Sequence, residues 1–121
     1  MAEMDKQSGI GDPVVRSALR ELDRKLRERF GSKYLKLMLF GSRARGDNVP
    51  ESDADVAVVL RGRITDRWSL KRLIIQDTYP ILLETGLYIQ AWPLGEAELD
   101  NPDKSSNPAL LRNVAWDGIV P

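Results

Sequence analysis

Hydrophobic residues recur every three or four positions between residues 12 and 31, which is the repeat of an amphipathic helix. Asp12-Pro13 offers an N-cap followed by proline at the first helical position, and Gly31 ends the run. The sequence therefore predicts a first helix with one buried stripe and a charged outer face. Its apolar positions are Val15, Leu19, Leu22, Leu26 and Phe30.

Two short apolar segments have the pattern of strands. Tyr34 to Phe40 form a mostly apolar run that stops at Gly41, as expected for a buried strand. Ala54 to Leu60 alternate, and the acidic end of this second strand comes first. One face is predicted to carry Val56, Val58 and Leu60, and the other Asp55, Ala57 and Val59.

Beyond residue 60 the pattern predicts two further helices, a strand and a helical turn. A helix capped by Thr65 or Asp66 and ended by Gly86 is expected to bend at Pro80. Helices that alternate with strands in so short a chain predict an α/β or α+β fold, a small mixed β-sheet covered by helices. The remaining elements are a strand at 87–92, a turn near 96–99 and a closing helix from Asn107-Pro108 to Gly118.

Composition limits the chain to one domain and narrows its chemistry. A chain of 121 residues with 42% hydrophobic content can bury one core, so we expect a flexible tail at 1–11 and a single domain at 12–121. The 18 basic and 18 acidic residues balance, so no global field favours a polyanion. The absence of Cys and His excludes thiol nucleophiles, Ser-His-Asp triads and common zinc sites. Without a signal peptide or a membrane-length apolar run, we expect a cytoplasmic protein.

Gly41-Ser42 has the properties of a phosphate-binding corner. Ser42 follows a strand and opens a short helix, where backbone N–H groups face an anion at the positive helix terminus. Gly41 lets a phosphate approach the main chain because it has no Cβ. Taken alone, such a pair is more often a simple turn.

Asp53 and Asp55 lie two residues apart at the head of a strand, which places both carboxylates on one face with Cα atoms about 7 Å apart. The two acids repel each other unless a cation lies between them. Oxygen ligands of this kind suit Mg²⁺ or Mn²⁺, which also bind nucleotide phosphates. Asp-x-Asp alone is common in turns and N-caps, but the two signals together favour a site.

These segments resemble a known family. Gly41-Ser42, ten intervening residues and Asp53-Ala54-Asp55 are similar to the GS-x10-DxD signature of the DNA polymerase β-like nucleotidyltransferases. GSRARG with SDADVAVVL resembles in particular the minimal nucleotidyltransferase (MNT) domain, which is often encoded beside a HEPN-domain partner. The match includes Ala44, Gly46 and Ser52.

The resemblance implies a polymerase β-like nucleotidyltransferase fold and transfer of a nucleoside monophosphate, usually AMP from ATP, to an acceptor hydroxyl. It implies that Gly41 and Ser42 hold the β and γ phosphates. It also implies that Asp53 and Asp55 are the catalytic residues that bind Mg²⁺. The implied role is that of the antitoxin in a toxin-antitoxin system, which modifies and neutralises a HEPN toxin.

Arg43 and Arg45 lie close enough in sequence to reach phosphate oxygens, and arginine suits that task through its fork of donors. The alternative is solvent exposure with weak pairing to Asp47 or Glu51. For Arg45 the two interpretations balance, and we keep it as a nucleotide-binding candidate. For Arg43 the sequence favours solvent exposure.

The chain departs from the family at the third carboxylate, which is expected on the strand after the long helix. That strand contains Gln90 and no acid, and an amide cannot act as a base at neutral pH. Two hypotheses stay open: an active adenylyltransferase, or a catalytically weak or inactive nucleotide-binding antitoxin that acts by occupying its partner. Nearby acids that could substitute, although ordinary solvated positions are favoured, are Glu84, Glu96 and Glu98.

Three tryptophans and the small size of the chain bear on its partners. We expect at least two of the tryptophans to pack in the core. A chain this small, without a disulfide, is expected to keep some exposed apolar surface that a homo-oligomer or a HEPN-type partner would cover. The tryptophans are Trp68, Trp92 and Trp116.

Overall fold

The computed structural model describes residues 12–105 and 107–121, so the tail predicted for 1–11 lies outside the described residues. The chain folds into three strands and five helices within these ranges, with two short 3-10 turns at Gly31–Lys33 and Pro102–Lys104. No helix in this part of the chain is both long and apolar enough to cross a membrane. The elements are α1 (Pro13–Phe30), β1 (Tyr34–Phe40), α2 (Ser42–Arg45), β2 (Ala54–Leu60), α3 (Arg67–Thr85), β3 (Ile89–Gly95), α4 (Glu96–Asp100) and α5 (Pro108–Asp117).

The strands form one mixed sheet in the order β1-β2-β3, which confirms the predicted fold class. β1 and β2 are antiparallel, whereas β2 and β3 are parallel because α3 carries the chain back to the starting end of the sheet. Leu39 of β1 also pairs with Ile119, so the segment after α5 covers part of the outer edge of β1.

Both faces of the sheet are covered by helices. α1 and α3 pack on one face and α5 on the other, as the alternation along β2 predicts. The first face buries Val56, Val58 and Leu60, and the second buries Ala57 and Val59. Asp55 therefore shares its face with α5.

The helix starts agree with the capping residues read from the sequence. Asp12 accepts a hydrogen bond from the Val14 N–H at 2.9 Å, and Asn107 accepts one from the Leu110 N–H at 3.2 Å. Asp66, rather than Thr65, caps α3. Each side chain satisfies an N–H group that has no partner within its own helix.

Two expectations are corrected. β3 begins at Ile89, later than predicted, because Thr85 accepts the Leu87 N–H at 3.1 Å and pairing with β2 begins only opposite Ala54. The prediction of two buried tryptophans is wrong. Trp68 is 75% and Trp116 90% exposed, since both lie on helix faces directed away from the sheet, and Trp92 is only partly buried.

Candidate nucleotide-binding site

The corner after β1 is a turn of bare main chain. Gly41 has φ 77° and leads directly into α2, whose last turn closes at Gly46 with φ 83°. The N–H groups of Ala44 and Arg45 both donate to the carbonyl of Gly41 at 3.1 Å. The N–H groups before them, at the start of the helix, have no partner within it and are the natural donors to an anion.

Asp55 lies directly against this corner. The register of the antiparallel pair places Phe40 opposite Asp55. A Cβ atom built on Gly41 would lie 2.7 Å from the Oδ2 atom of Asp55, closer than any side chain tolerates. The glycine and the strand-borne acid, which are candidates from two separate segments, therefore occupy one site.

The pKa of the Asp55 carboxyl is raised above its ordinary value, first by burial and then by the charge of Asp53. Arg45 and the indole of Trp92 act in the opposite direction. The buried Nε1 atom of Trp92 makes no hydrogen bond of normal length and angle with the described residues, so its interaction with Asp55 is a long or bent one. Asp55 thus lacks a full set of partners for its charge.

Asp53 is the more exposed of the two acids and lies just before β2. It borders a cleft that Ser52, Arg43 and Tyr88 also line. Its charge reaches Asp55, since it is the second cause of the raised pKa there. The structure thus places both acids at the same end of β2.

Arg43 differs from the sequence expectation, because it is buried rather than exposed to solvent. Its Nε atom donates to the carbonyl of Ser52 at 2.9 Å, and Nη2 donates to the carbonyl of Pro50 at 3.2 Å. Its Nη1 atom lies 3.9 Å from the Oδ2 atom of Asp12. Arg43 therefore joins α2 to the loop that leads into the acid pair.

Arg45 is half-exposed and bound to two acids. Its Nε atom donates to Asp47 at 3.1 Å, which is one of the two pairings expected from the sequence. Its Nη1 atom donates to Asp117 at 2.8 Å. Sequence reasoning missed Asp117, which lies in the last turn of α5. The sequence signal that could have indicated this partner is an acid in the last turn of a helix. An acid is disfavoured at this negative end unless it has a partner elsewhere.

Among the residues that the structure describes, no third acid joins the pair. Gln90 is the residue of β3 that stands in register with Asp55. Glu98 is held by Arg67 at 2.9 and 3.1 Å, and Glu96 accepts from the Gly62 N–H at 3.0 Å. These two contacts lie at the opposite end of the sheet, so neither glutamate substitutes at the site, and Glu84 is exposed on α3.

The acids fit a metal that is shared with a substrate. Within residues 12–105 and 107–121, no group of three or more His, Cys, Asp or Glu side chains could hold a metal ion. Mg²⁺ keeps several waters and is commonly bound by one or two carboxylates together with nucleotide phosphates. Two carboxylates beside a glycine-serine corner suit that arrangement better than a permanently held ion.

A mixed sheet that places a glycine-serine corner against a strand-borne carboxylate defines a protein of the nucleotidyltransferase class. The chain belongs to the nucleotidyltransferase domain family, whose sequence model matches residues 19–102. A relative from Methanocaldococcus jannaschii, described as a "putative protein adenylyltransferase", is 34% identical over 103 residues, covering 85% of this chain and 93% of the relative. A crystal structure of a "putative nucleotidyltransferase" from Sulfolobus solfataricus is 22% identical, with a TM-score of 0.46 and coverage of 91% and 86% of the two chains.

Proposed function

We propose that this protein transfers AMP from ATP to a hydroxyl group of an acceptor protein, with Asp53 and Asp55 holding Mg²⁺ or Mn²⁺ at the reaction centre. The observation that carries the proposal is the contact of Asp55 with the bare main chain at Gly41. The family and the description of the archaeal relative support nucleotidyl transfer and a protein acceptor.

The corner supplies the phosphate contacts in this proposal. Within the part of the chain that the structure describes, the Ser42 hydroxyl has no hydrogen-bond partner, so it is free to donate to a phosphate oxygen. The N–H groups at the start of α2 add further donors. Gly41 and Ser42 therefore bind the β and γ phosphates, and the triphosphate tail lies next to Asp55.

Arg45 adds a cation beside the acid pair. Its guanidinium is half-exposed and acts on the charge of Asp55, while its bonds to Asp47 and Asp117 hold it over the site. A phosphate oxygen can replace the exposed Asp47 as a partner with little loss, because exposed ion pairs are weak. Arg45 then binds nucleotide while Asp117 keeps the guanidinium in position.

The transfer itself needs few protein groups. The acceptor oxygen bonds to the α-phosphorus, the bond to the bridging oxygen breaks, and pyrophosphate leaves with that oxygen. The hydroxyl proton passes to solvent, because β3 offers Gln90 and no carboxylate beside Asp55. The metal, when bound, neutralises the charge that builds on the leaving group.

The second candidate is a nucleotide-binding module without turnover, and Gln90 is the observation that favours it. In both versions we propose the MNT antitoxin role that the sequence resemblance implies, with a HEPN-domain protein as the partner. An active protein neutralises the toxin by adenylylating it. An inactive one neutralises it by binding.

One labelling experiment separates the two candidates. The protein and the product of the neighbouring gene are incubated with α-labelled ATP and Mg²⁺, and the Asp53→Asn variant is compared with the unaltered chain. Asp103→Asn is the matched control, because Asp103 is an exposed acid paired with Arg112, far from Asp53 in sequence. Label that disappears only in Asp53→Asn supports transfer. Metal-dependent ATP binding without label supports the binding module, and the absence of both contradicts the proposal.

A further inference from the structure

The outer edge of β3 has unpaired backbone groups. Within residues 12–105 and 107–121, no strand pairs with this edge, since the sheet ends at β3. The Tyr88 carbonyl accepts from the Ala54 N–H and so points towards β2. Because the direction alternates along a strand, the backbone groups of Ile89, Ala91 and Pro93 point outwards.

The two halves of this edge differ. At Pro93 the edge is closed, because proline has no N–H and the Arg67 guanidinium binds its carbonyl. At Ile89 and Ala91 the edge is open in the sense that no described strand or side chain binds its backbone groups. Both residues line a groove whose other wall is α3, and Ile89 itself is only 5% exposed. Ile75 and Tyr79 of that wall are 56% and 55% exposed.

One residue of the groove connects it to the nucleotide site. Gln90 lines the groove and is also the register partner of Asp55 on the neighbouring strand. Adjacent strands lie about 5 Å apart, so a segment bound along Ile89–Ala91 lies next to Gln90 and about 10 Å, two strand spacings, from Asp55 on β2. A groove placed there fits the molecule that receives the nucleotide.

We propose that the open half of this edge binds an extended segment of the acceptor polypeptide, which adds to the sheet as a short fourth strand and places its hydroxyl beside Gln90, on the sheet face that Gln90 shares with Asp55. Backbone hydrogen bonds to Ile89 and Ala91 align the segment, and the wall formed by Ile75 and Tyr79 receives alternate side chains. The inference rests on the proposed transfer function and names the docking surface for its acceptor.

Charge and size define the kind of segment. Lys71 is the only charged residue among the described residues that line the groove, and its ammonium lies 4.5 Å from the centre of the Trp92 ring. The segment that fits is therefore apolar on alternate positions and acidic at its flanks. A second copy of this chain fits less well, because an edge open only at Ile89 and Ala91 is far shorter than a stable dimer interface requires.

A peptide tests the surface without any transfer reaction. The probe is an acetylated and amidated heptapeptide of alternating valine and hydroxyl residues with an aspartate at each end. In the free protein the outward N–H groups of Ile89 and Ala91 should exchange with solvent much faster than those of Gln90 and Trp92. Saturating peptide should slow exchange at Ile89 and Ala91 at least tenfold, as measured by nuclear magnetic resonance.

Two pairs of variants test whether nucleotide transfer uses this docking surface. Ala91→Pro removes one outward donor, whereas Ala91→Ser keeps it. Ile75→Glu places a negative charge in the groove, whereas Leu83→Glu places it on the same helix, at a residue that is 69% exposed and outside the groove. Ala91→Pro and Ile75→Glu should raise the KM for the protein acceptor at least tenfold, with ATP binding and thermal unfolding unchanged.

The outcomes separate this inference from the proposed function. If label is transferred and the two groove variants behave like their controls, the docking surface is wrong and the transfer function stands. If the unaltered chain transfers no label, the proposed function fails, and the peptide experiment still decides whether the edge binds an extended chain. Unchanged exchange at Ile89 and Ala91 with millimolar peptide, or pairing with a second copy seen by sedimentation, overturns the inference.

Discussion

At Gly41 one methyl group would compete with the carboxylate of Asp55 for the same space. The residue has φ 77°, and an added Cβ would lie 2.7 Å from Oδ2. Gly41→Ala should lower the free energy of unfolding by about 1–3 kcal/mol, from a strained backbone and a displaced acid. It should also abolish binding of Mg²⁺ and ATP, measured by titration calorimetry.

Gly62→Ala is the matched control for that variant. Gly62 has φ 78°, but nothing lies within 4 Å of its added Cβ. Gly62→Ala should therefore lower the free energy of unfolding only through backbone strain and should keep nucleotide binding. Equal binding by Gly41→Ala and Gly62→Ala would show that the contact with Asp55 is unimportant.

The two arginines of α2 should separate stability from binding. Arg43→Met removes a buried guanidinium that donates to the carbonyls of Ser52 and Pro50, and should cost about 2–3 kcal/mol in urea unfolding. Arg45→Met should leave urea unfolding nearly unchanged, because its ion pairs are partly exposed, and should weaken ATP binding. The opposite assignment, with Arg43 needed only for nucleotide, would contradict the structure.

At the residue scale, the sequence predicted a contact that a local motif sets and missed contacts that depend on distant partners. The contact between Gly41 and Asp55 follows from a motif and from strand alternation. The burial of Arg43 could not be predicted from the sequence, because its partners are backbone carbonyls, which have no sequence signature. Asp117 was missed because its bond to Arg45 joins residues 72 positions apart.

At the scale of elements, Glu98 fixes the join between β3 and α4. Its carboxylate accepts from the Gly95 N–H at 3.1 Å, from Ser105 at 3.1 Å and from Arg67. Burial raises the pKa of Glu98, but the bonds from Arg67, Gly95 and Ser105 outweigh it, so the pKa lies below its ordinary value. The folded state therefore binds the proton less tightly than the unfolded chain.

The sign of this shift sets the pH dependence. The stability that Glu98 contributes is present above its ordinary pKa and is lost as pH falls through the lowered one. Glu98→Gln should cost about 1 kcal/mol at pH 7, because solvent screens part of the interaction, and progressively less in acid. Urea unfolding at pH 7 and pH 3 measures it, and a cost that grows in acid would contradict the assignment.

Element boundaries were predictable where a residue type enforces them. Gly31 and Gly86 end their helices, and β1 and β2 begin and end where the apolar pattern does. β3 was displaced because its start is decided by pairing with Ala54, a contact that no local pattern contains. The tryptophans were misplaced because aliphatic side chains already fill both faces of the sheet.

At the scale of the whole molecule, the charge of Asp55 opposes folding when no cation is bound. Burial and the charge of Asp53 raise the pKa of Asp55, so the folded state holds this proton more tightly than the unfolded chain. Stability is then lost as pH rises from the ordinary pKa through the raised one. At neutral pH without metal, Asp55→Asn should increase the free energy of unfolding, by less than about 1 kcal/mol because the group is partly exposed.

Binding of Mg²⁺ and ATP should make the unaltered chain more stable than the Asp55→Asn variant. Mg²⁺ with ATP at a hundred times the dissociation constant should stabilise the unaltered chain by about 2.7 kcal/mol, because the ligand binds only the folded state. Asp55→Asn and Asp53→Asn should show almost none of this increase, and a chelator should remove it from the unaltered chain. Without ligand, Asp55→Asn should therefore be more stable than the unaltered chain, and with saturating ligand it should be less stable. Thermal unfolding under both conditions measures this change directly. An Asp55→Asn variant that is less stable under both conditions would mean that this carboxylate supports the fold rather than a metal-bound nucleotide.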